Sequence, residues 1–260
     1  MFIDSHAHLT CDKLYPEVDE LLARAQEGGA EAIINICTDE SSLERGLELA
    51  KRYPWVYNVG STTPHDVATL GEKEWGLFEA AARSGSLVAI GETGLDYYYD
   101  HAPRALQQEF LKRYFELALE LNLPVVIHCR DAFDDLFKIA DMGYDSERLL
   151  LHCFTGTPEE ARQALDRGWT ISFSGIVTFK RSSELREAAA LVPPERMLVE
   201  TDSPYLAPQS KRGKVCEPAF ALETLECLAG IKGMSGAELG RITGDNARRF
   251  FGLYPGENVS

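Results

Sequence analysis

The chain has 260 residues, 45% of them hydrophobic and 26% charged, the composition of a globular protein that buries a core without disulfide staples. Its formal charge of −15 weighs against non-specific binding to a phosphate backbone, although a local basic patch or bound cations can reverse the sign at one site. No apolar run approaches the ~20 residues of a membrane helix and no basic segment precedes the first apolar run at Phe2, so neither a membrane span nor a cleaved signal peptide is expected, and the expected compartment is cytoplasmic.

Predicted strands fall at Phe2–Ser5, Ala32–Ile36, Trp55–Val59, Leu87–Gly91, Val125–His128, Leu149–His152, Thr170–Ser174 and Met197–Thr201. Between them lie stretches of helical character, among them Glu17–Gln26, Ser42–Tyr53, Glu74–Ser84, Ala105–Leu121 and Glu159–Arg167. In Ala105–Leu121 the apolar residues Leu106, Phe110, Tyr114, Leu117 and Leu121 recur at three- and four-residue steps, the period of one helix face. Thr157-Pro158-Glu159-Glu160 supplies an N-cap, a Pro in the first turn and acids at the positive end of the helix dipole. Asn122 and Gly168 predict helix ends. A helical tail follows the eighth strand, with its last helix at about residues 235–252, and no linker divides the chain, so residues 1–260 read as one domain.

Eight strands with crossover helices in roughly 250 residues predict an α/β fold of the (β/α)8 TIM-barrel type. A doubly wound open sheet is the alternative, because counting strands does not prove closure. The six cysteines (Cys11, Cys37, Cys129, Cys153, Cys216 and Cys227) show no C-x-x-C spacing, which argues against a zinc–thiolate site or a disulfide framework. Cys37, Cys129 and Cys153 end apolar runs and are expected to be reduced core residues.

The polar residues at the strand ends favour the barrel. His6 and His8 follow the first strand, Glu92 the fourth, His128 and His152 end the fifth and sixth, and Asp202 follows the eighth. Alone, each has an ordinary structural explanation: a hydrogen-bonded histidine, a capping Glu, an Asp in an Asx-turn. In a parallel barrel, however, all strand carboxyl ends share one rim. Four imidazoles and two carboxylates gathered there predict a divalent-metal site, whose cation would offset the cost of burying the acids. Six ligands exceed one tetrahedral site, so two ions are expected, with Glu92 the candidate bridge. Such a pair activates water at neutral pH and clamps the oxygens of a phosphoryl displacement, with Asp202 placed to orient or deprotonate that water.

The segments "DSHAHL", "GETGLDYYY", "LPVVIHCRDA", "HCFTGT", "ISFSGIVTFK", "VETDSPYLAP" and "TGDNARRFFGL", in this order and nearly end to end, resemble the TatD-type metal-dependent deoxyribonucleases among the amidohydrolase-like metal hydrolases. The resemblance implies a (β/α)8 barrel with one or two divalent ions held by His6, His8, Glu92, His128, His152 and Asp202. It implies hydrolysis of DNA phosphodiesters, often as a 3′-to-5′ exonuclease supported by Mg²⁺ or Mn²⁺; Zn²⁺ also suits the donor set. Some relatives act on other bonds, including the ester of mischarged tRNA. Where many members read G-x-H-P-H, this chain has Thr63 for the first histidine and keeps His65. Cys216 replaces Asn in the R-G-K-x-N-x-P loop, and Arg113 stands where many members carry Gln. None of these departures removes a candidate metal ligand.

Substrate contacts are expected from His65, from Arg130 just beyond His128, and from Lys180, Arg181, Lys211, Arg212 and Lys214 in the loops after strands seven and eight, where barrels often bind phosphate. Tyr97, Tyr98 and Tyr99 offer stacking for an unpaired base. With no groove-reading motif, single-stranded DNA or DNA ends are the expected partner. An ester or amide hydrolase such as an aminoacyl-tRNA deacylase, and a non-catalytic metal-binding barrel, are the competing expectations.

Overall fold

The computed structural model describes residues 1–99, 101–144 and 148–253. Its eight strands, β1 (Phe2–Ala7), β2 (Ala30–Cys37), β3 (Val56–Gly60), β4 (Ala89–Asp96), β5 (Val125–Arg130), β6 (Leu149–Leu151), β7 (Thr170–Phe173) and β8 (Met197–Val199), lie side by side in chain order, each parallel to the next. A crossover helix follows each of the first seven: α1 (Val18–Glu27), α2 (Glu40–Arg52), α3 (Glu72–Arg83), α4 (Arg104–Leu121), α5 (Phe133–Ala140), α6 (Pro158–Asp166) and α7 (Ser183–Leu191). Helices α8 (Ala221–Lys232) and α9 (Gly236–Phe251) complete the chain's described part. This is a (β/α)8 barrel. Among the described residues no helix is long and apolar enough to cross a membrane.

The seam between β1 and β8 is short. Ala7 bridges Ser203, the His8 amide donates to the Ser203 carbonyl at 2.7 Å, and the Asp202 amide donates to the His6 carbonyl at 2.9 Å. Below these, Asp4 accepts the Thr201 amide at 2.9 Å. The barrel therefore closes through residues that also carry the candidate site.

Local signals in the sequence account for several boundaries. Helix α6 begins with a reciprocal cap, in which Thr157 and Glu160 bind each other's backbone amides. Helix α4 buries Phe110, Tyr114 and Leu117 and ends at Asn122, whose φ of 55° is left-handed. Strands β1, β4 and β5 run further than predicted, so His6 and Glu92 lie within strands rather than after them, and His128 lies inside β5 rather than at its last residue. Gly94 explains the extension of β4: it pairs with His128 at φ 146°, and a side chain there would collide with the His128 backbone. Cys37 and Cys129 are buried, whereas Cys153 is only half-buried, because it lies past the end of β6 at the barrel rim.

One end of the barrel is plugged. Ala247 and Phe251 of α9, with Leu253, join Ile3, Ile34, Ile36, Val59, Val126, Leu150 and Leu198 of the strands in one apolar cluster. Chemistry is left to the carboxyl rim. Replacing Gly94 by Ala is expected to destabilise the protein by about 1–3 kcal/mol, read as a lowered Tm. An unchanged Tm would show that β4 and β5 do not meet this closely.

Candidate metal centre

Glu92 stands where two pairs of imidazoles meet. Its Oε2 lies 3.3 Å from His6 Nε2 and 3.6 Å from His8 Nε2. Its Oε1 lies 2.8 Å from His152 Nε2 and 3.0 Å from His128 Nδ1. Asp202 Oδ1 approaches the first pair, 3.4 Å from His8 Nε2 and 3.7 Å from His6 Nε2. Asp202 reaches in from a left-handed backbone, φ 60°, a conformation Asp tolerates better than most residues. All six predicted ligands thus converge, from five different strand ends.

Burial is graded across the cluster. The His6 side chain is inaccessible to solvent, whereas His8, Asp202 and His128 are 14%, 12% and 19% exposed. The cluster is open to solvent on the side of those three. The rings of His6 and His152 stack nearly parallel, 3.8 Å apart, and two imidazolium ions could not share that position cheaply.

Charge follows from these contacts. Burial would raise the Glu92 carboxyl, but His152, His128 and His6 outweigh it and hold it well below the usual carboxylate range. Asp202 is likewise depressed against burial, by His8 and His6. Burial and the neighbouring His152 lower His6. Burial is overcome at His8 by Asp202 and Glu92, at His128 by Asp96 and Glu92, and at His152 by Glu92 and Glu200, so these three are raised.

The donor set fits divalent cations. An ion ~2.1 Å from nitrogen and oxygen donors sets neighbouring donors about 3–3.5 Å apart, close to the spacings found. His6 and His8 lie on Oε2 of Glu92, with Asp202 beside the same two imidazoles, and His128 and His152 lie on Oε1. Each oxygen of Glu92 thus faces a separate pair of imidazoles. Beneath the cluster, Glu200 is fully buried with neither oxygen hydrogen-bonded, Oε1 3.5 Å from His152 Nδ1. Burial pushes the Asp4 carboxyl up to about 8 although Thr201 donates to it.

Sequence reasoning missed Asp96 and Glu200. Asp96 Oδ2 accepts from His128 Nε2 at 2.8 Å and lies 3.6 Å from His65 Nε2. The signal was present: four residues beyond Glu92 in one strand, Asp96 faces the same way. Glu200 precedes Asp202 by two, at the same strand end.

The predicted substrate residues divide. His65 lies beside the cluster, its ring 5.2 Å from that of His128. The Arg130 guanidinium lies 3.9 Å from the Tyr98 ring centre and 4.8 Å from that of Tyr99. Lys180 and Arg212 make no contact with the cluster; Lys180 is exposed and Arg212 packs on Phe179 at 4.7 Å. The departures from the family pattern are absorbed locally. Thr63 donates to Asp66 at 2.9 Å, Cys216 is buried against the Thr201 carbonyl, and Arg113 pairs with Glu72 over Trp75.

Residues 3–252 match the family model described as TatD related DNase. The chain is 34% identical to an uncharacterized metal-dependent hydrolase, YabD, of Bacillus subtilis, over 96% of this chain and 99% of that protein. It is 39% identical to a second uncharacterized metal-dependent hydrolase, YcfH of Escherichia coli, over 96% and 95%. It is 32% identical to the 3′-5′ ssDNA/RNA exonuclease TatD of Salmonella typhimurium, over 95% and 98%. Among solved structures it superposes on the TatD homologue YJJV of E. coli with a TM-score of 0.91, at 26% identity over 97% and 98% of the two chains.

Because nitrogen must be deprotonated to bind a cation, and His8, His128 and His152 hold protons above the ordinary imidazole range, Mn²⁺ binding is expected to release protons and weaken as pH falls from about 8 to about 6. Calorimetric titration in buffers of different ionisation enthalpy measures this. An affinity independent of pH, with no proton release, would contradict the arrangement.

Proposed function

We propose that this chain, which belongs to the TatD-related DNase family and is a metal-dependent hydrolase, cuts DNA phosphodiester bonds and removes nucleotides from the 3′ ends of single strands. The observation that carries the reading is the division of Glu92 between two imidazole pairs with Asp202 beside one of them. The exonuclease name of the Salmonella relative, identical at 32% of positions, supports the choice of bond and polarity.

His6, His8, Glu92 and Asp202 would hold one cation and Glu92, His128 and His152 the other. The cations, when bound, lower the pKa of water and neutralise charge gathering on the phosphoryl oxygens. The protein's own groups supply the rest. Glu92 and Asp202 are both ionised, for the reasons given above. Asp202, on the open side, receives the proton of the attacking water as its oxygen bonds to phosphorus. The bond from phosphorus to the 3′ oxygen then breaks, that oxygen takes up a proton from water to become the new 3′-hydroxyl, and the terminal nucleotide leaves as a 5′-phosphate. His6 and His152, deeply buried and stacked, fix the floor of the site and exclude bulk water from it.

The rim supplies substrate contacts suited to a flexible strand. Tyr98 and Tyr99 are 58% and 50% exposed beside Arg130, and Tyr205 is exposed with its ring 5.9 Å from that of His8. Exposed aromatic faces stack unpaired bases without regard to sequence, and Arg130 meets phosphate. A positive, metal-bearing mouth on an acidic body confines DNA to that mouth.

With Mn²⁺ or Mg²⁺, 5′-labelled single-stranded DNA is expected to shorten from its 3′ end. Replacing Asp202 by Asn is expected to reduce the rate about 100-fold or more while the circular-dichroism spectrum stays unchanged. Intact DNA alongside cleavage of an aminoacyl ester would reassign the bond, and an unimpaired D202N enzyme would remove Asp202 from the proton step.

A further inference from the structure

We propose that Asp96 is a positioning residue: one buried carboxylate both fixes the ring of His128 and ties that ring to the aromatic rim. The inference rests on the reading of His128 as a cation ligand. Asp96 ends β4, its side chain 1% exposed. Its two oxygens have separate tasks. Oδ1 accepts the backbone amides of Tyr98 at 3.0 Å and Tyr99 at 2.8 Å. Oδ2 accepts from His128 Nε2 at 2.8 Å. A carboxylate only accepts, so Nε2 of His128 carries the hydrogen. Nδ1, 3.0 Å from Glu92 Oε1, is then the nitrogen that would give up its hydrogen to take a cation. A ligating histidine is oriented in this way by the group on its other nitrogen.

The same carboxylate shapes the rim, because the amides it holds belong to the two tyrosines on which Arg130 rests. Its own backbone is clamped from α4: Gln107 Oε1 accepts the Asp96 amide at 2.8 Å, and Gln107 Nε2 donates to the Asp96 carbonyl at 3.1 Å and the Ala102 carbonyl at 2.9 Å. Gln107 therefore holds the same turn without a hydrogen bond to His128, which makes it the natural control.

Asp96, His65 and His128 also present three donors within reach of one ion. With His128 already ligating through Nδ1, a cation there would require that ring to lose its remaining proton and bind through both nitrogens. The 2.8 Å hydrogen bond favours the positioning role instead.

The test compares the full-length protein with D96N and Q107A. In D96N the two tyrosine amides retain the amide oxygen, so the amide NH₂ faces His128 and favours the tautomer with its hydrogen on Nδ1. Titration with Mn²⁺ is expected to show one of two equivalents weakened about 10-fold or more in D96N, and both retained in Q107A. Nitrogen-15 NMR of the cation-free wild-type protein is expected to show His128 protonated at Nε2 rather than at Nδ1 alone, a readout that needs neither DNA nor a folded variant. Equal losses in the two variants would reduce Asp96 to a loop anchor. A His128 hydrogen on Nδ1 alone, unaltered affinity in D96N, or a third equivalent lost with Asp96 would each overturn the proposal. A protein that fails to cut DNA yet gives the expected titration and NMR results would refute the nuclease reading and leave this one standing.

Discussion

The carboxylate of Glu92 has an imidazole pair on each oxygen, in a cup where His6 is wholly buried and His152 nearly so. Four imidazoles cannot crowd two carboxylates at these distances without a definite distribution of protons or cations. Protons alone serve poorly, because the stacked rings of His6 and His152 resist a shared double charge. Divalent cations would satisfy nitrogen and oxygen donors together and relieve the burial of both acids. Much of the surrounding structure follows from holding these groups in register.

Barrel closure provides that register. Each strand delivers its side chains to the carboxyl rim, while α9 stops the opposite end with Ala247 and Phe251. The seam between β1 and β8 is made by the backbones of His6, His8, Asp202 and Ser203. Closing the barrel and assembling one half of the site are therefore the same event. The other half is registered by Gly94, whose lack of a side chain lets β4 lie against His128. Each oxygen of Glu92 faces one of these halves.

Much of this was legible in the sequence because the barrel rule converts strand ends into neighbours. His6, His8, His128 and His152 could be placed together once the strands were counted, although each is unremarkable alone. Thr157 and Asn122 marked helix ends by chemistry that acts within a few residues. Asp96 and Glu200 share strand ends with Glu92 and Asp202 and could have been placed beside the cluster by alternation, but strand counting does not show which ring nitrogen each one faces. Lys180 and Arg212 were expected at the mouth on the ground of loop position. Loop position does not fix where a long side chain points, and the nearby Phe179 ring takes up Arg212.

The central claim is that Glu92 bridges two cations held by the histidines on either side of it. Anomalous diffraction from a crystal soaked in Mn²⁺ tests it most directly. The account predicts two peaks flanking the Glu92 carboxylate, one among His6, His8 and Asp202 and the other between His128 and His152. A site without anomalous density, or ions held with Glu92 turned away from both, would contradict it.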